Sequence, residues 1–245
     1  MVHNINPSLL YLWDKRTLYI GPLFETLDLS QGAATLLVAL DKPISFQTKR
    51  QSEPIECWSL LLPAGMSVRV DTHNAIIANC NLDPLGVDYS SLSQLMQKHK
   101  NGVGYQVFNE DEFIANFWEM YHSQLESKPA YEYIEHLLTK NNQDYMNCYD
   151  TDSRVEEVIK LIKQTICDNL SLDELALAVN LSASRLVQLF KQQTGIPIRR
   201  YRLWHRLYVT ATLIGQGENL TEAAVAAGFN DSSHYCHTFR SMLGF

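Results

Sequence analysis

Two rows of hydrogen-bonding side chains near the C-terminus carry the chemistry of this 245-residue chain. Ser184, Arg185, Val187, Gln188 and Lys191 share one face of a helical pattern whose Leu186, Leu189 and Phe190 point the other way. Ser233, His234, His237, Arg240 and Ser241 stand in the same relation to Tyr235, Thr238, Phe239 and Met242. Such faces suit non-covalent reading of base edges: Arg matches guanine or phosphate, Gln matches adenine, and Ser takes either donor or acceptor. Between the rows, Arg199, Arg200, Arg202 and Arg206 crowd two turns without matched acids. That spacing points to phosphate contact, with an internal brace as the equal alternative for Arg206.

Other chemistries lack their motifs. No Gly-x-Ser-x-Gly, phosphate loop or His-Glu-x-x-His occurs, so no catalytic residue is assigned. Cys57, Cys80, Cys148, Cys167 and Cys236 are widely spaced and odd in number, which fits neither a disulfide framework nor a zinc knuckle and suits a reducing cytoplasm. His73 reads as a hairpin decoration rather than a ligand, and no metal or cofactor is expected. No apolar run approaches the ~18 residues that would span a bilayer, so no membrane partner is expected either.

Charge divides the chain. The net charge of −7 resolves into −9 over residues 1–153 and +2 over residues 154–245. The C-terminal part can therefore approach phosphates, and the acidic part meets something else.

Short apolar runs separated by turn residues, Thr17–Ile20, Ala34–Leu40, Ile44–Thr48, Glu56–Leu62, Ser67–Asp71 and Ala75–Leu82, predict a small all-β sandwich or barrel within 1–86. From Tyr89 to Thr139 the period becomes helical and predicts a helical hairpin, with Phe113, Phe117, Met120 and Tyr121 facing either the β unit or a second copy. Residues 140–153 are polar, without periodicity, and read as a linker. Trp13, Tyr19, Phe24, Phe46 and Trp58 are either core or the lining of an effector pocket.

In 154–245 the start signals recur: Ser153-x-x-Glu156, Ser171-x-x-Glu174 and Asn219-x-x-Glu222 precede apolar periods as capping pairs do. Asn180 and Gly228 stand where the chain must turn, Asp231 caps the last helix, and Gly195 followed by Pro197 separates two helices. Two helix-turn-helix signatures thus follow one another, Ser171–Gly195 and Asn219–Phe245, around a single linking helix.

The run Leu175–Gly195, the Tyr201 to Arg206-Leu207 spacing, and Ala224 through Gly228-Phe229-Asn230-Asp231 to Phe239-Arg240 resemble the AraC/XylS family of bacterial transcription regulators. The resemblance covers about Val155 to Phe245. It implies an α+β chain: a cupin-like small β-barrel with a helical hairpin over 1–139, used for sensing a small effector or for dimerising, a linker at 140–153, and an all-α tandem helix-turn-helix domain at 154–245. It implies a cytoplasmic activator that sets two recognition helices into successive major grooves of double-stranded promoter DNA, about 34 Å apart, and that meets RNA polymerase. Carried over by position, the base readers are Ser184, Val187 and Gln188, then Ser233, His234 and His237. Affinity comes from Arg185, Lys191, Arg199, Arg200 and Arg240.

Departures weaken the second unit. His237 stands where the family has arginine and His234 where an aromatic is common, and family members continue past this point through Ser-Pro and Tyr-Arg. Discrimination is therefore expected mainly from the Ser182–Gln193 helix. The β unit has similarity to cupin sensors at Tyr19-Ile20-Gly21-Pro22, Leu60–Pro63 and Pro63-Ala64-Gly65, yet lacks His-x-His and has Val68 where a metal cupin has histidine. The alternatives are a cupin-type enzyme with a DNA-binding tail and a regulator whose N-terminal part binds a protein.

Overall fold

The computed structural model describes residues 7–24, 26–30, 33–50, 53–82, 87–139 and 152–243. The N-terminal strands are β1 (Leu9–Leu12), β2 (Thr17–Pro22), β3 (Thr26–Ser30), β4 (Thr35–Ala39), β5 (Ile44–Thr48), β6 (Ile55–Cys57), β7 (Ser59–Leu62), β8 (Ser67–Asp71) and β9 (Ile76–Asn81). Then come α1 (Val87–Leu95), β10 (Met96–Lys100), β11 (Val103–Val107), α2 (Glu110–Ser123) and α3 (Ser127–Thr139). The C-terminal region is helical: α4 (Ser153–Gln164), α5 (Leu172–Ala178), α6 (Ala183–Thr194), α7 (Ile198–Gly215), α8 (Leu220–Ala226) and α9 (Ser232–Leu243).

The strands part into two antiparallel sheets, β1-β2-β9-β4-β7-β11-β10 and β3-β8-β5-β6, rather than closing into one barrel. Burial explains the division. Every residue of β4 is buried, because the larger sheet is covered on both faces, whereas β5 and β8 alternate buried and wetter positions as a sheet with one open face must. Leu36 and Val38 face Phe113, Phe117, Met120 and Ile134 of the helices, while their neighbours Leu37 and Ala39 face Phe46, Val70 and Ile77 between the sheets. The Phe113–Tyr121 stripe is thus buried against this chain's own sheet.

Three details correct the sequence reading. The run Glu56–Leu62 breaks at Trp58, sending β6 to the small sheet and β7 to the large one. Residues 89–139 are not helical throughout: Val103–Val107 pairs with Met96–Lys100 and, through Gly104 and Tyr105, with β7, so a β-hairpin precedes α2 and α3. The aromatic set disperses, with Phe46 buried, Tyr19 and Trp58 packed on its cluster, Phe24 exposed, and Trp13 stacked on Tyr11. Of the linker reading, only residues 152 and 153 fall within the described residues.

Arg16 and Asp88 form a buried bidentate pair, at 2.7 and 2.8 Å, that ties the β1–β2 turn to α1. Burial opposes the guanidinium charge, but hydrogen bonding to Asp88 and its charge outweigh that and raise the Arg16 pKa above its ordinary value.

Candidate nucleic-acid interface

Each helix of the C-terminal region starts where a side chain can accept an orphan backbone N–H, save α7, which Pro197 opens. Asp152, rather than the expected Ser153, caps α4: its carboxylate accepts from the Arg154 backbone at 3.0 Å and from the Arg154 side chain. That side-chain bond, with the backbone bond, brings the Asp152 pKa down to about 2. Ser171 and Glu174 complete a capping box on α5, and hydrogen bonding from Ser171 lowers the Glu174 pKa. Ser182 accepts from Arg185 at 3.3 Å, Asn219 from Glu222 at 3.0 Å, and Asp231 from His234 at 2.7 Å.

Packing then fixes which faces are free. Val155, Val158 and Ile162 of α4 bury with Leu175, Leu186, Phe190 and Tyr201. Ser184, Arg185, Val187, Gln188 and Lys191 are left exposed along α6, as their spacing predicts. Arg185 Nη1 donates to Gln188 Oε1 at 3.1 Å, so the two reach outward as one preformed group.

The second unit repeats the first with one residue more in its turn. Leu181 alone lies between Asn180, with φ 54°, and the Ser182 cap; Phe229 and Asn230 lie between Gly228, with φ 88°, and the Asp231 cap. Counting from the caps, His234 takes the place of Arg185, Cys236 of Val187, His237 of Gln188, and Arg240 of Lys191. Ser233, His237 and Arg240 are exposed. His234 is half-buried, its ring edge-on to Phe229 at 5.3 Å and its Nδ1 enclosed without a partner among the described residues.

The linking helix α7 has two working faces. On one, Arg202 donates to Asn169 Oδ1 at 3.1 Å and to the Leu170 carbonyl; Arg206 donates to the Ile166 carbonyl at 3.2 Å and to Asn169 Oδ1 at 3.3 Å. Both therefore brace the α4–α5 turn, and burial lowers both pKa values. Arg206 also lies under Gly228, where an added Cβ would meet Ile166 O at 2.7 Å and Arg206 Nε at 3.0 Å. One guanidinium thus sets the second unit against the first. Arg199 is exposed on the same face, whereas Arg200 is half-buried with its Nε enclosed. Arg199, Arg202 and Arg206 line a cleft of about 550 Å³ between the two reading helices, with Val187 on one wall and His234 on the other.

The opposite face of α7 meets the N-terminal region. Tyr201, Trp204, His205 and Tyr208 enclose a small space with residues 13–17 of the β1–β2 turn, and Lys163 pairs with Asp14 at 2.7 Å. His205 stacks between Tyr201 and Tyr208. Burial, reinforced by Lys163 and opposed by Asp14, brings its pKa down to about 4. The Pro63–Gly65 turn touches the α6–α7 junction at Gly195 and Ile196, and β3 lies against α9. Sequence reasoning missed these contacts; the Tyr201, His205, Tyr208 stripe was their one visible signal.

His73 sits in a turn with φ 50°, 3.4 Å from Asp71. No three His, Cys, Asp or Glu side chains cluster as a metal site would require, among the described residues. No helix among them is long and apolar enough to cross a membrane.

Comparison with known proteins agrees with this geometry. A family model described as a helix-turn-helix domain matches residues 175–245. The HTH-type transcriptional activator RhaR of Mannheimia succiniciproducens is 27% identical over 104 residues, and the activator RhaS of Escherichia coli O139:H28 is 30% identical over 105. Each match covers 42% of this chain and 38% of the relative, so the chain aligns with well under half the length of those curated relatives. The fold extends further: an apo variant of ToxT from Vibrio cholerae superposes with a TM-score of 0.64 at 13% identity, covering 96% of both chains. Unsaturated-fatty-acid-bound wild-type ToxT superposes with a TM-score of 0.58 at 14% identity, over 100% of this chain and 95% of the other.

Proposed function

We propose, from the premise that the C-terminal region belongs to the AraC/XylS-type helix-turn-helix family, that this chain is a sequence-specific transcription regulator of double-stranded promoter DNA and not an enzyme. The observation that carries this reading is the pair of separately capped helices, α6 and α9, holding polar faces outward on either side of one arginine-lined cleft. Arg185, Lys191, Arg199 and Arg240 supply charge toward phosphates, and Ser184, Val187, Gln188, Ser233, His234 and His237 face base edges. Arg200, half-buried, contributes less than the sequence suggests.

The N-terminal sheets act as the regulatory part in a cytoplasmic protein. The relatives RhaR and RhaS are activators, and a ToxT structure of the same fold holds an unsaturated fatty acid, which together support activation through RNA polymerase and control by a small effector. Homodimerisation belongs to this reading as the partner of a paired promoter site.

The test is selection of duplexes by the full chain from a random pool, followed by binding of Gln188→Ala to the selected site and its point variants. The variant loses about 1–3 kcal/mol at one base pair and relaxes preference there. Equal weakening on every sequence would refute base reading by Gln188, and failure to enrich any sequence would refute the function.

A further inference from the structure

The cleft between the reading helices has features that neither helix needs for reading bases. Arg199, Arg202 and Arg206 line it along one face of α7, and no carboxylate shares the lining among the described residues. Glu174, the acid whose charge reaches Arg202, is engaged in capping Ser171. Arg199 is exposed and has no partner among the described residues. Across from it, His234 Nδ1 is enclosed and unpartnered, and Arg206 Nε is buried without an acceptor, again among the described residues. An exposed, unpaired Arg199 guanidinium on a space of about 550 Å³ whose lining, among the described residues, holds three arginines and no acid describes a seat for an anion.

Geometry identifies the anion. Two helices reading successive major-groove segments on one face of B-DNA are separated by the intervening minor groove, so a sugar-phosphate strand must pass between them. The mouth of this cleft, with Val187 of α6 on one side and His234 of α9 on the other, lies on that path. We infer that the cleft seats one backbone phosphate of the strand crossing between the two read segments, held by Arg199 with Arg202 behind it. This rests on the DNA-binding reading above and adds a contact that fixes the spacing of the two segments while reading no base. Arg206 and Asn169 keep the seat's rear wall rigid by joining the two units.

The experiment places single neutral methylphosphonates along the selected duplex and measures binding by the full chain, its Arg199→Ala variant and its Arg199→Lys variant. One or two adjacent positions between the read segments cost the native chain about tenfold, the low end for a charge-assisted hydrogen bond. Arg199→Ala binds the unmodified duplex about tenfold more weakly and loses nothing further at those positions. Arg199→Lys restores most of the difference. In parallel, the thermal midpoint is compared in inorganic phosphate and in chloride at equal ionic strength, and the two agree. Undiminished sensitivity in Arg199→Ala overturns the seat. An Arg199-dependent shift in phosphate also overturns it, by showing that the cleft takes a free phosphorylated ligand. Failure of the native chain to bind any duplex overturns the DNA-binding reading itself.

Discussion

Three glycines near the second unit separate backbone conformation from packing. Gly215, inside α7, and Gly217, with φ 101°, have nothing within 4 Å of an added Cβ; Gly228, with φ 88°, has the Ile166 carbonyl at 2.7 Å and the Arg206 guanidinium at 3.0–3.1 Å. Gly215→Ala should stabilise by about 0.5 kcal/mol, since alanine restricts the unfolded chain and suits a helix. Gly217→Ala should cost about 1–2 kcal/mol, the penalty of a left-handed conformation. Gly228→Ala meets the same penalty and also displaces a charged hydrogen bond worth about 1.5–3 kcal/mol, giving a loss of about 2.5–5 kcal/mol. Urea unfolding followed by helical circular dichroism gives the three shifts in the C-terminal transition. The double variant Gly228→Ala/Arg206→Ala should lose less than the sum of the two single changes, because removing the guanidinium relieves part of the clash. A Gly228→Ala loss no larger than that of Gly217→Ala would refute the tight junction between Gly228, Ile166 and Arg206.

Two further outcomes follow from buried ionisable groups. His205 is neutral when folded, with a pKa of about 4 against 6.5 in the unfolded chain, so only the unfolded chain takes up the proton between those values. Stability is therefore full above pH 6.5 and falls by up to about 3 kcal/mol as pH drops to 4; His205→Phe should remove that part of the slope in a pH series of denaturation midpoints, and an unchanged slope would exclude His205 as its source. Arg16→Met should cost about 3–5 kcal/mol by removing the counter-charge of the buried Asp88 carboxylate, and Arg16→Met with Asp88→Leu should recover most of it. Equal losses in the single and double variants would show that the pair's burial does not govern that turn.

The C-terminal helices were legible because their evidence is local. Caps lie within four residues of what they cap, and the exposed row of α6 follows from period alone. The sheets were partly legible: β8 begins and ends where alternation says, at Ser67 and Asp71. The division of β6 from β7 depends on which sheet each joins, a long-range fact with no mark at Trp58. The bracing role of Arg202 was hidden for the same reason, and that of Arg206 stood as one of two equal readings. Their partners Ile166, Asn169 and Leu170 lie more than thirty residues earlier, so the spacing of the arginines could not show which of them also hold the chain's own carbonyl and amide oxygens.

The seating of β3 against α9 bears on how the chain can be divided. β3 is one of the two outer strands of the small sheet, and a bare outer strand is a template for pairing with another molecule. Here α9, from the other end of the chain, lies close to it. Cutting the protein between α3 and α4 would free the helical part from its neighbour, but would leave the sheet fragment with an adhesive border. The last helix thus lies beside an edge strand of the first half, a contact that only the intact chain keeps.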